Sequence, residues 1–303
     1  MRGLNPRQIE AFRAVVLTGS VSGAAGLISV TQPAVSRLIR DLQHHLGLTL
    51  FDRRGTGLVP TSEALSLYAE VERAFVGLDR IEQTAAELRT RRAGLLRIAG
   101  LPALANGFLP RFVGKFLAEH PKLDVVLQGL VSHAVVAAVA QGQCDLGFAE
   151  ASFEHASVLK EPMPVAPVVA VLPQNHRLAA RKKLKPRDFE GESFISMGHS
   201  AISRFRIDRV FAEHGVNRVM RVETPLSEIA CALAGSGAGV TLCDPFSATE
   251  YSTRGIVVRP FEPRIEFEFA AFHATQRVVP PVAREFIHGL RQHVSDFLRQ
   301  RSA

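Results

Sequence analysis

Cysteine is scarce in this chain of 303 residues. Cys144, Cys231 and Cys243 stand singly, with no Cys-x-x-Cys pair and no Cys/His ligand spacing. That excludes a zinc-finger or disulfide-framework reading and suits buried, reduced thiols. No apolar run approaches the roughly 20 residues that a membrane-spanning helix requires. The N-terminus carries no apolar segment followed by a small-residue cleavage site, so the chain reads as soluble and cytoplasmic, with no membrane partner. Catalytic signatures are missing as well: there is no Gly-x-Ser-x-Gly elbow, His-Glu-x-x-His pair, Walker loop or Gly-x-Gly-x-x-Gly turn. The glycine-rich run Gly235–Gly239 follows a helical pattern and precedes a strand, the reverse of a phosphate cradle, and reads as a helix C-cap and turn. The eleven histidines show no metal spacing. No cofactor and no metal are expected. Glu150 with His133 is the one acid–base pair that can be constructed, and a binding cleft needs no catalysis, so the chain reads as a non-enzyme.

What the sequence does have is length for two domains, 47% hydrophobic residues and a formal net charge of +7, an excess that favours a polyanion as partner. Within residues 1–60, seven arginines face three acids. The stretch Thr31–Leu42 organises this region. Thr31 is placed to cap a helix, with Pro33 tolerated in its first turn. Val35, Leu38, Ile39, Leu42 and Leu46 follow helical spacing and form an apolar stripe. The opposite face carries Gln32, Ser36, Arg37, Arg40 and Gln43, side chains that read base edges and grip phosphates. Upstream, Asn5-Pro6 opens one helix with Ile9, Phe12 and Val16 inward, and Ser20 caps a short second one. Downstream, Leu48–Pro60 reads as two short strands around a glycine-bearing turn tipped with Arg53 and Arg54. The order is that of a helix-turn-helix with a wing.

Phe12, Gly19-Ser20, Ala24-Ala25, Leu27, Thr31–Ser36, Ile39, Leu42, Leu46-Gly47 and Leu50–Arg53 keep the order and spacing of the winged helix-turn-helix of LysR-type transcriptional regulators, and the segment resembles that family. Gly23 and Gly26 depart from it, lying inside the second helix where the family has better helix formers, at about 0.5–1 kcal/mol each. Ala64 stands where the family often has glycine. The resemblance implies DNA contacts by Thr31, Gln32, Pro33, Ser36, Arg37, Arg40, Arg53 and Arg54. Of these, Gln32, Ser36 and Arg37 would read bases, and the arginines would hold phosphates.

From Thr61 to about Arg92 one helical run carries Leu65, Tyr68, Val71, Phe75, Leu78 and Ile81 at spacings of three and four. Such a stripe needs a partner. In the family this helix pairs with its twin, which makes Tyr68, Val71, Phe75, Leu78 and Ile81 dimerisation residues in a dimer of dimers. The alternative is packing on the chain's own C-terminal domain.

From residue 94 onward strands alternate with helices, and the order βαβαβ over 95–149 argues for a parallel sheet flanked by helices. A second set begins at Val168. Ile265–His273 reads as a strand returning to the first lobe, and Pro281–Arg301 as a final amphipathic helix. This resembles the family's effector domain, an α/β fold of two lobes like that of periplasmic binding proteins. The expected fold is therefore a winged helix-turn-helix (1–60), a linker helix (61–93) and an effector domain (94–303), with lobe I at 94–163 and 266–303 and lobe II at 164–265.

Ligands in open α/β sheets bind beyond the carboxyl ends of strands. That rule nominates Pro102, Ala103, Ser132, His133, Glu150, Ser196, Met197, Ser200, Thr224 and Asp244. Asp188–Glu192, Phe194–Ser196, Phe211–His214, Val222–Thr224 and Asp244-Pro245 look closer to the subgroup that senses diaminopimelate or opines. A carboxylate at Glu150 suits the cation of an effector such as a basic amino acid, diaminopimelate or opine. A non-amino-acid carboxylate effector, a plain ligand-binding module and a response to a protein partner are the alternatives. Further partners implied by the resemblance are promoter DNA, a second copy of the chain and RNA polymerase.

Overall fold

A computed structural model describes residues 4–54, 57–90, 94–199, 202–276 and 278–302. The chain forms two compact units, Met1–Arg91 and Arg92–Ala303.

In the first unit, Pro6–Thr18 (α1) starts where the Asn5 side chain accepts from the Arg7 N–H at 3.0 Å. It ends at Gly19, whose φ of 66° is the left-handed cap conformation that glycine adopts freely. Val21–Leu27 (α2) is capped by Ser20, whose Oγ accepts from the Gly23 N–H at 3.0 Å. Gln32–Leu46 (α3) follows, with Thr31 at the cap position but making no capping hydrogen bond through its side chain. Pro33 is the second helical residue and has no N–H, which removes one of the two donors a capping hydroxyl normally meets. The wing is Phe51–Arg54 (β1) paired antiparallel with Gly57–Pro60 (β2). Phe12, Val15, Ala24, Val35, Leu42 and Leu50 are fully buried and hold the three helices and the wing together.

Ser62–Thr90 (α4) is 29 residues long and opens on Thr61, whose Oγ1 accepts from the Ala64 N–H at 3.2 Å and donates to the Thr49 carbonyl at 2.9 Å. Its apolar stripe divides. Val71 is buried, and Tyr68 and Phe75 are half-buried, against α1 and the head's own core. Arg13 of α1 pairs with Glu72 at 2.6 Å and lies over the Phe75 ring at 4.8 Å. Val71, expected at a dimer seam, is thus taken up within its own chain, and Tyr68 and Phe75 are taken up in part, because the start of α4 packs on α1. Leu65, Leu78 and Ile81 remain exposed.

The second unit runs in the order Leu95–Gly100 (β3), Pro102–Ala105 (α5), Phe108–Glu119 (α6), Asp124–Gly129 (β4), Ser132–Ala140 (α7), Leu146–Glu150 (β5), Val158–Pro162 (β6), Ala166–Pro167 (β7), Val169–Pro173 (β8), Ser193–Met197 (β9), Ile202–Glu213 (α8), Val219–Thr224 (β10), Ser227–Gly235 (α9), Thr241–Cys243 (β11), Pro245–Glu250 (α10), Ile256–Pro260 (β12), Glu266–Phe267 (β13), Phe269–Ala274 (β14) and Pro281–Ser302 (α11). Lobe I is a sheet of order β4-β3-β5-β14-β6. Strands β3, β4 and β5 are parallel, as the βαβαβ pattern requires, while β14 runs antiparallel to both β5 and β6. Lobe II combines the antiparallel set β11-β8-β12 with the parallel pair β10-β9, joined by the Phe194–Val240 bridge. The single strand expected over 265–273 is broken at Glu268: β13 pairs with β7 between the lobes and β14 enters lobe I. Phe108 of lobe I meets Phe246 of lobe II at 4.7 Å between ring centroids, so the lobes share a core on that side.

Candidate DNA-reading head and effector cleft

On α3, Thr31, Gln32, Pro33, Arg37 and Arg40 are exposed and Ser36 is half-buried, so one open face carries an amide, a hydroxyl and two guanidiniums. Arg37 approaches Asp41 one turn along at 3.7 Å, and Arg40 is exposed with no ion pair to an acidic side chain among the described residues. Gln43, expected on this face, turns away from it. Its Oε1 accepts from the Leu50 and Phe51 N–H groups at 2.7 and 3.3 Å, so it serves the wing and not a ligand. The backbones of Arg53 and Arg54 lie in β1, while their side chains lie outside the described residues.

In the second unit a cavity of about 140 Å³ lies between the lobes. Pro102, Ala103, Ser132, His133, Glu150 and Met197, all named from the ends of strands, line it together. Ser200 lies outside the described residues. Three expectations are corrected. Ser196 is buried in β9 and does not line the cavity, because neighbouring strand residues face opposite ways and Met197 takes the cleft side. Thr224 is buried at the end of β10, where its Oγ1 accepts from the Leu226 N–H at 3.4 Å. Asp244 is buried and turned back as the cap of α10, its Oδ1 accepting from the Ser247 N–H at 2.7 Å. Burial pushes the Asp244 carboxyl up to about 6.

Glu150 ends β5, with its N–H donating to the Ser132 Oγ at 3.2 Å. Burial holds its carboxyl above the usual carboxylate range, and the Ile202 N–H and the Arg206 charge offset part of that rise. Arg206 is committed elsewhere, donating to the Glu266 carbonyl at 2.7 Å and pairing with Glu268.

Sequence reasoning missed Glu228, in the first turn of α9 and 9% exposed. Its Oε1 accepts from Asn106 Nδ2 at 3.1 Å, a bond that crosses from lobe II to lobe I. Its Oε2 has no partner among the described residues. The available signal was its place at a helix start just after a strand, four residues past the nominated Thr224. The described residues lining the cavity thus include two carboxylates and His133, and neither lysine nor arginine. No cluster of three His, Cys, Asp or Glu able to hold a metal occurs among the described residues, nor any helix long and apolar enough to cross a membrane.

A reading head of the helix-turn-helix type, followed by a two-lobed domain with a cleft between the lobes, is the architecture of a regulator that couples DNA to a small molecule. Residues 6–65 match the model for the bacterial regulatory helix-turn-helix protein, lysR family, and residues 89–295 match the LysR substrate binding domain. The chain belongs to the LysR-type family of transcriptional regulators, whose members are not enzymes.

It is 43% identical over 287 residues to the octopine catabolism/uptake operon regulatory protein OccR of Rhizobium meliloti, covering 93% of this chain and 95% of that one. It is 35% identical to the transcriptional activator protein LysR of Escherichia coli, over 94% of this chain and 92% of that one. Among solved structures, CbnR, a LysR family transcriptional regulator, shares the fold with a TM-score of 0.76 at 18% identity, over 95% of this chain and 99% of that one.

Proposed function

We propose that this regulator binds promoter DNA as a dimer of dimers in the cytoplasm and answers to an amino-acid-derived effector that carries a cation, of the basic amino acid, diaminopimelate or opine kind. Residues 1–60 act as the reading head, 61–93 as the linker and 94–303 as the effector domain. Gln32, Ser36 and Arg37 read bases in the major groove, with Thr31 and Pro33 at the same helix start, and Arg40, Arg53 and Arg54 hold phosphates. Leu78 and Ile81, left exposed on α4, supply the seam between two linker helices.

The observation that carries the effector reading is the lining of the cavity, where Glu150 and Glu228 stand with no lysine or arginine among the described residues, Arg206 beside Glu150 being held by Glu266 and Glu268. Two carboxylates in a half-dry cleft disfavour an anionic group and favour a cation. The effector's own carboxylate would lie at the start of α7, near Ser132 and His133, where no side chain caps the first-turn N–H groups. The relative named for octopine catabolism supports the same class. To change promoter binding, the effector must favour one lobe arrangement over the other.

Calorimetry on the full-length protein tests this with basic amino acids, opines and dicarboxylates. Binding of the cationic compounds, weakened in Glu150→Gln, is expected. Binding of a dicarboxylate alone, or cation binding unchanged in Glu150→Gln, overturns the reading.

A further inference from the structure

We propose that Glu150 and Glu228, one carboxylate from each lobe, form a clamp selective for a guanidinium over an ammonium; the proposal rests on the cationic-effector reading above. Both residues line the same cavity, Glu150 from the end of β5 and Glu228 from the first turn of α9. Glu228 is nine-tenths buried. Asn106 fixes one of its oxygens at 3.1 Å, and the other has no donor among the described residues. A buried carboxylate oxygen without a donor is costly, and a ligand that brings an N–H to it recovers that cost.

The lining offers little to do this from within. The Ser132 hydroxyl already accepts from the Glu150 N–H, and the Ser227 hydroxyl points to the Met197 sulfur at 4.0 Å. A guanidinium presents five N–H donors in one plane and can serve two carboxylates at once. An ammonium is a compact, strongly hydrated point charge with three donors, and gains less from two separated acceptors. The Asn106–Glu228 bond already ties lobe I to lobe II, so a cation between Glu150 and Glu228 adds a second tie across the cleft and favours its closed form.

The test compares the N-carboxyethyl derivatives of arginine and of lysine, which differ in the cation and by one methylene of the stem, by calorimetry on the full-length protein. The arginine derivative is expected to bind about tenfold or more tightly than the lysine derivative. Glu228→Gln should erase most of that preference, while the melting temperature without ligand stays level or rises because a buried charge is removed. A residue with only a structural role would leave the preference intact. Equal affinity for the two derivatives, or an equal loss for both in Glu228→Gln, overturns the clamp and leaves the cationic-effector reading standing. Binding of neither derivative overturns the clamp, and the cationic-effector reading is then decided by the calorimetry with basic amino acids and dicarboxylates above.

Discussion

Gln43, on the recognition helix α3, holds the start of the wing: its Oε1 accepts from the Leu50 N–H at 2.7 Å and from the Phe51 N–H at 3.3 Å. Leu50 is fully buried, so water cannot easily replace that acceptor. Gln43→Ala is expected to cost about 1–2 kcal/mol, the range for leaving a buried donor unpaired. Gln43→Glu keeps an acceptor and should cost less. Chemical denaturation measures both, and faster hydrogen exchange at the Leu50 amide should accompany the alanine variant.

The two glycines inside α2 have opposite meanings. A Cβ on Gly23 would lie 2.8 Å from the Thr18 Cβ and 2.9 Å from the Ser20 Oγ, where α2 turns against the end of α1. A Cβ on Gly26 meets nothing within 4 Å. Gly26→Ala should therefore stabilise the head by about 0.5–1 kcal/mol through helix propensity alone, and Gly23→Ala should destabilise it. Thermal melts of the two variants, compared with the parent, check the sign of each.

The head was the most legible part of the sequence, because its signals are local. Asn5-Pro6, Ser20 and Gly19 mark helix ends by their own chemistry, and the spacing of Val35, Ile39 and Leu42 gives the buried face. The stripe on α4 was legible as a stripe but not as two halves, since periodicity says which residues are apolar and not what covers them. In the effector unit, strand ends named six residues that line one cavity. They misplaced Asp244, although Asp-Pro followed by Ser247 is itself a helix-start signature. Glu228 was out of reach because its partner, Asn106, is 122 residues away in sequence.

Leu78 and Ile81 are 55% and 67% exposed on α4, beyond the part of the helix that Val71 anchors to the head. Exposed side chains of this size at helical spacing favour burial against a second helix. Leu78→Asp with Ile81→Asp should shift the protein toward monomer in analytical ultracentrifugation, with the melting temperature of the head little changed. Val71→Asp should instead unfold the head, since that side chain is 4% exposed within its own chain. An unchanged sedimentation profile for the double variant would place the seam elsewhere.

Asp244 gives the protein a pH dependence with a definite sign. Burial raises its carboxyl from the ordinary 3.8 to about 6 in the folded chain. Between these values the folded state holds a proton that the unfolded state has released, so stability falls as pH rises through the window and levels off above it. The rise corresponds to about 3 kcal/mol across the full window. Asp244→Asn keeps an oxygen that can accept from the Ser247 N–H and cannot ionise. The variant should match the parent near pH 4 and exceed it by up to about 3 kcal/mol at pH 7. Glu150, also raised by burial, contributes a slope of the same sign, but it is present in both proteins and cancels in the difference. Urea denaturation of the two proteins at half-unit steps from pH 4 to 7 gives that difference directly, and a flat difference curve would mean that Asp244 ionises in the folded chain as it does in the unfolded one.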